Sequence, residues 1–236
     1  MDFRFPKPGL ALISFLLPRS CLLCGKPLGI EEAGAEACLC GNCDASLEGL
    51  REPRCGRCGR GLVSAAASCP ECRAVSHDFD EALPLFDFRG PVGLLIGAYK
   101  FGDRRSLASW FANRIEAAIA GRWPGAVLVP VPPRKAVFAE RGWDHVELLA
   151  SILCKRGFRV ARPLVRGSSL EQKTLGLEAR RLNAAKAYAL RPGARVPERT
   201  ILLDDVFTSG ATADACARAL RSGGAKSVAF VSLAAD

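Results

Sequence analysis

Residues 201–213, Ile201-Leu-Leu-Asp-Asp-Val-Phe-Thr-Ser-Gly-Ala-Thr-Ala213 (ILLDDVFTSGATA), decide how this chain is read. A hydrophobic run ends at two adjacent acids, Asp204 and Asp205, and a short turn rich in Thr, Ser and Gly then opens a helix. The end of a parallel strand followed by a helix N-terminus is where an anion settles, held by free backbone N–H groups and the helix dipole. Gly210 lets the backbone approach such a group closely. Thr208, Ser209 and Thr212 add hydroxyl donors, with Ala211 between them. The two carboxylates sit just upstream, placed to accept hydrogen bonds from ligand hydroxyls or to reach a phosphate-bound Mg²⁺. A bare Ser-Gly-Ala-Thr also serves as an ordinary helix cap, but two acids at a strand end are costly unless they contact something.

Outward from this stretch, short apolar runs alternate with amphipathic segments from about His77 onward. Ala82–Phe88, Ala126–Pro130, Thr200–Asp204 and Lys226–Leu233 are expected strands. Val92–Phe101, Ser106–Ala120, Val146–Arg156 and Ala211–Ser222 are expected helices. The alternation predicts an α/β fold, a parallel sheet flanked by helices.

The N-terminal third follows a different logic. Nine of the eleven cysteines lie between Cys21 and Cys72, and eight form four Cys-x-x-Cys knuckles: Cys21/Cys24, Cys40/Cys43, Cys55/Cys58 and Cys69/Cys72. Zn²⁺ is well served by four thiolates in a tetrahedron, and one knuckle supplies two from a single tight turn. Sequential pairing gives C-x2-C-x15-C-x2-C and then C-x2-C-x10-C-x2-C, two Zn(Cys)₄ sites. An interleaved pairing uses the same residues, a rubredoxin-like iron site has the same spacing, and Cys38 stands close enough to compete as a ligand. Thioredoxin-like chemistry uses one knuckle beside a βαβ unit and does not match. With few large apolar residues, the module is expected to depend on metal for its fold. Arg51, Arg54, Arg57 and Arg60 recur at every third position, a spacing that either tracks phosphates or forms a solvated face.

The chain divides into a short apolar segment (1–18), a double zinc ribbon (19–75) and an α/β domain (76–236). Of the formal charge of +9, residues 76–236 carry +8, which suits a phosphate-rich small ligand or a nucleic-acid backbone. No apolar run reaches the length of a transmembrane helix. Gly9–Leu17 lacks the basic leader and cleavage site of an export signal, so a cytoplasmic protein without membrane insertion is expected.

ILLDDVFTSGATA resembles the phosphoribosyl pyrophosphate (PRPP) signature of type I phosphoribosyltransferases. With the N-terminal ribbons, the chain is similar to the ComF family of competence-associated proteins. CLLCGKPL, LCGNC, PRCGRCGRGL and CPECR resemble that family's ribbon; AYKFGDRRSLA, VPVPPRKAVFAERGWDHVELLA and LEQKTLGLEARRLN resemble its other blocks. The resemblance implies that Asp204 and Asp205 contact ribose hydroxyls and that residues Thr208 to Thr212 cradle a 5′-phosphate. It implies a pyrophosphate loop with Arg134, Lys135 and Arg141. It implies a mobile hood over 172–183 with Lys173, Arg180, Arg181 and Asn183, and a further phosphate contact at Lys100. Where the family often shows RGFNQ, this chain has Arg141-Gly142-Trp143-Asp144-His145, and His145 reads as a structural helix-start residue. The implied cofactors are structural Zn²⁺ and Mg²⁺ with PRPP. The implied partners are PRPP or a nucleotide-like molecule, with single-stranded DNA or a protein of the DNA-uptake machinery. The resemblance leaves two functions, an accessory factor in DNA uptake and an active transferase with an unidentified acceptor.

Overall fold

The computed structural model describes residues 20–28, 38–50, 52–63, 66–134, 138–139, 142–167 and 187–236. The expected segment 1–18, the residues Lys135, Arg141, Lys173, Arg180, Arg181 and Asn183, and the hood over 172–183 lie outside the described residues, as does Arg51.

Four strands form a parallel sheet in the order β1-β6-β5-β2: β1 Glu81–Asp87, β2 Val127–Pro130, β5 Arg199–Phe207 and β6 Ser227–Ala235. The helices are α3 Gly90–Phe101, α4 Leu107–Ile119, α5 His145–Lys155 and α6 Ala211–Ser222; two short ones in the cysteine region are α1 Gly41–Ala45 and α2 Pro70–Ala74. A two-stranded antiparallel hairpin, β3 Leu164–Arg166 with β4 Tyr188–Leu190, stands apart from the main sheet.

Alternation along the strands sorts the core into two layers. Ile201 and Leu203 of β5 and Val231 of β6 face α3, α4 and α5, where Leu95, Tyr99, Phe111 and Leu149 are buried. Leu202 and Phe230 face the opposite side, packed with Ala213, Cys216 and Leu220 of α6 and with Tyr188 of the hairpin. The helices cover both faces, so β6 is buried almost throughout and β5 is buried from Thr200 to Leu203 and again at Phe207.

The cysteine region is built twice over. Cys21 N donates to Lys26 O and Cys55 N to Arg60 O, both at 2.8 Å, and Gly25 N and Gly59 N return to Cys21 O and Cys55 O at 2.9 Å. Gly25 and Gly59 close these knuckles at φ of 72° and 71°, the left-handed region that favours glycine. The second knuckle of each unit opens a short helix, α1 after Cys40 and α2 after Cys69. Cys21, Cys38 and Leu39 of the first unit join the core layer of α3–α5, whereas Cys55, Cys58 and Cys69 join the layer of α6. Gly59 is pressed on β1: a Cβ there would stand 2.3 Å from the Ala82 carbonyl oxygen.

Candidate ligand site and metal centres

The ligand atoms of Cys21, Cys24, Cys40 and Cys43 lie within 4.8 Å of one another, and so do those of Cys55, Cys58, Cys69 and Cys72. The pairing is therefore sequential, and Cys38 stays out of the first cluster. Four thiolates at about 2.3 Å from a tetrahedral zinc are about 3.8 Å apart. Cys24 to Cys40 and Cys58 to Cys69 are each 3.7 Å, so both clusters fit structural zinc. Burial pushes the Cys21 and Cys55 thiols up, but backbone N–H donors outweigh it and bring each to about 6. Burial and the nearby Asp44 push the Cys38 thiol up to about 11.

β5 carries Asp204 and Asp205 to the carboxyl edge of the sheet, where both are half-buried. The strand runs three residues beyond the expected Asp204, pairing with β6 as far as Phe207 opposite Ala235. Lys100 Nζ, from the last turn of α3, is 2.8 Å from Asp205 Oδ2, and His145 Nε2, from the first residue of α5, meets the same oxygen. Burial alone would push the Asp205 carboxyl up; the His145 hydrogen bond and the Lys100 charge outweigh it and hold the group at about 2. Asp204 behaves oppositely. Burial, and then the Asp205 charge, push its carboxyl well above the usual range.

His145 is oriented from both sides. Its carbonyl accepts from the buried Tyr99 hydroxyl at 2.6 Å, and Asp144 caps α5 by accepting from Val146 N at 2.9 Å and Glu147 N at 3.2 Å. Asp suits an N-cap as well as Asn does, so the Asp144 departure leaves the helix start intact. The His145 departure puts an imidazole against Asp205, a contact in addition to the helix-start placement expected.

The turn after β5 has the expected form. Thr208 and Ser209 are exposed, Gly210 has φ 78°, and α6 begins at Ala211 with Gly210 as its N-cap. Gly210 makes no side-chain cap, and Ala211 N donates to Ser209 Oγ at 3.4 Å; first-turn N–H groups of a helix have no intrahelical acceptor and are where an anion is met. The Tyr188 hydroxyl of β4 accepts from Arg166 Nη1 of β3 at 2.6 Å, and Tyr188 packs in one core layer with Ala213 and Cys216 of α6. A cavity of about 710 Å³ opens beside the turn, lined by Thr208, Ser209, Ala211, Asp214, Arg60 and Arg218. Lys100 is thus brought to the acidic pair rather than to the turn, and Arg134 is exposed on the segment after β2. The sequence reading missed His77, Tyr188, Arg166 and the reach of Arg60 into this region. Arg60 gave a signal through the arginine spacing, and His77 as one of two histidines in the chain.

These features define a class: two four-cysteine clusters joined to a parallel α/β sheet whose strand end carries an acidic pair and a left-handed glycine turn. Residues 12–73 match the double zinc ribbon domain. Over nine-tenths of its length the chain is similar to the competence protein ComFC of Streptococcus pneumoniae, with 26% identity over 230 residues, 90% of this chain and 98% of that one. Competence protein F of Haemophilus influenzae is 25% identical over 91% of this chain and 96% of its own. The DNA utilization protein YhgH of Escherichia coli is 25% identical over 90% and 95%. The ComF resemblance therefore holds along almost the whole chain. Among solved structures, hypoxanthine phosphoribosyltransferase from Trypanosoma cruzi overlaps at 15% identity and a TM-score of 0.33, over 54% of this chain and 65% of that one. That overlap spans just under two thirds of the enzyme's length. Among the described residues, no helix is long and apolar enough to cross a membrane.

Proposed function

We propose that this protein binds PRPP or a related ribose 5-phosphate ligand with Mg²⁺ and serves as an accessory factor in DNA uptake. The single observation that carries the ligand reading is the acidic pair Asp204–Asp205 leading directly into the left-handed Gly210 turn and the open N-terminus of α6. The phosphate takes the turn of Thr208, Ser209, Gly210, Ala211 and Thr212, and the ribose hydroxyls take the two carboxylates. Mg²⁺ fits this donor set through Asp204, where burial and the Asp205 charge disfavour a bare carboxylate and a cation would stabilise it. Asp205 is already met by Lys100 and His145. Arg134 and Arg141, with Lys173, Arg180 and Arg181 of the hood, complete the pyrophosphate end. Residues 19–75 form the zinc module and 76–236 the ligand domain.

The DNA side of the proposal is supported by the relatives, which are named for competence and DNA utilization, and by the positive balance of residues 76–236. A second reading, an active phosphoribosyltransferase, is favoured by one observation: His145 places an imidazole against Asp205. Titration calorimetry with PRPP, with and without Mg²⁺, followed by a screen of acceptors for pyrophosphate release, separates the two. An accessory factor binds without turnover and binds single-stranded DNA with strong salt dependence. Turnover with any acceptor favours the enzyme, and the absence of ligand binding overturns both.

A further inference from the structure

We propose that His77 and Arg60 are positioning residues that transmit the metal occupancy of the second cluster to the anion turn; the ligand arm of the test rests on the function proposed above. His77 spans the gap. Its Nε2 is 3.5 Å from Sγ of the ligand Cys72, and its Nδ1 is 3.0 Å from Asp214 Oδ2 in the first turn of α6. The other oxygen of Asp214 accepts from Asp78 N at 2.8 Å, so the carboxylate is held twice by the segment that follows the cluster. The imidazole also forms the wall of the turn. A Cβ on Gly210 would stand 3.1 Å from its Cε1, and the ring stacks on the buried Phe79 at 4.6 Å.

Arg60 makes the second connection. It follows the ligand Cys58 by two residues and donates through Nη2 to the Thr208 carbonyl, at the entry of the turn. Its Nη1 is 2.5 Å from Glu71, which lies between the ligands Cys69 and Cys72. The guanidinium also covers the Phe207 ring at 5.6 Å. The two contacts bracket the turn, one on the carbonyl where the chain enters and one on the helix it opens.

Both anchors depend on the metal. A four-cysteine unit of this size has little apolar surface to fix it, so ligation supplies most of its order. Without metal, Arg60 and His77 lose their fixed origin, and the turn loses its two restraints. Among the described residues, the first cluster has no such path. Its described contacts run through Asp44 to Trp110 Nε1 and Arg114 Nη2 on α4, each at 2.5 Å, on the opposite core layer. Linkage makes the effect reciprocal: a ligand that orders the turn tightens metal at the second cluster.

The test compares the full chain carrying two metals with Cys72→Ser, Cys24→Ser, His77→Ala and Arg60→Ala. Three quantities are measured for each: metal equivalents, amide hydrogen exchange of the peptide spanning 205–216, and calorimetric affinity for ribose 5-phosphate. We expect Cys72→Ser, His77→Ala and Arg60→Ala each to speed exchange of that peptide and to weaken the sugar phosphate about tenfold. His77→Ala and Arg60→Ala should keep two metal equivalents. Cys24→Ser should lose metal yet leave exchange and affinity within about twofold of the parent. Unchanged exchange in Cys72→Ser overturns the proposal, as does an equal effect of Cys24→Ser. If His77→Ala does not fold, Arg60→Ala, on the rim of the cavity, gives the same decision. If the parent itself does not bind ribose 5-phosphate, the ligand reading falls, and the exchange measurement alone decides the coupling.

Discussion

Gly210→Ala perturbs the turn before α6 with one methyl group. The backbone there has φ 78°, and an added Cβ would stand 3.1 Å from both His77 Cε1 and Phe207 Cζ. Holding an L-residue in the left-handed region costs about 1–2 kcal/mol. Forcing a methyl against two packed rings adds about 1–3 kcal/mol, with some relief as the rings shift. The expected loss is about 2–4 kcal/mol, which at an ordinary urea dependence lowers the unfolding midpoint by about 1 M. The shifted rings also re-aim the turn, so affinity for ribose 5-phosphate should fall at least about tenfold. Gly224→Ala is the matched control. It has φ 100° with nothing within 4 Å of the added Cβ, so it carries the backbone cost alone, about 1–2 kcal/mol, and should leave ligand affinity unchanged. A Gly210→Ala protein that unfolds at the parental midpoint and binds as tightly would refute the reasoning that this turn is held against His77 and Phe207.

Three further outcomes are expected. Lys100→Met should cost about 1–2 kcal/mol at neutral pH. The Asp205 carboxyl is held near 2 against an ordinary 3.8, so the ion pair's contribution is complete above about pH 4 and fades as the pH falls through about 2. Urea titrations at pH 7 and pH 2.5 should show the difference shrinking. Asp204→Asn should raise stability at pH 7, because burial and the Asp205 charge disfavour the ionised Asp204 increasingly as the pH rises above its unfolded value; with Asp205→Asn added, calorimetry should show Mg²⁺-dependent PRPP binding abolished in a folded protein. Cys55→Ser should release about one of two metal equivalents, and retention of both would contradict the sequential clusters.

The layers of the fold were legible because their signals are local. Apolar runs such as Ile201-Leu-Leu and Ala126–Pro130 fall on buried strands, and each expected helix is present with ends shifted by a residue or two. Strand β5 was read too short because two acids resemble a chain exit. In the structure, extended pairing with β6 carries them to the sheet edge, where Lys100 and His145 offset the charge of Asp205. The hairpin left no comparable mark. Leu164–Arg166 and Tyr188–Leu190 are three residues each and far apart in sequence, so only the tertiary pairing defines them. The zinc ligands were legible by spacing, but their pairing was settled by distance. His77 illustrates what spacing does not carry. Nothing around it in sequence foretells a bridge to Asp214, 137 residues away.

The most direct measurement is a crystal of the protein soaked with ribose 5-phosphate. The account predicts phosphate oxygens hydrogen-bonded to the backbone N–H groups of Ser209 to Thr212, with the sugar hydroxyls on Asp204 and Asp205. A phosphate bound elsewhere, while this turn stays closed by the protein's own side chains, would contradict it.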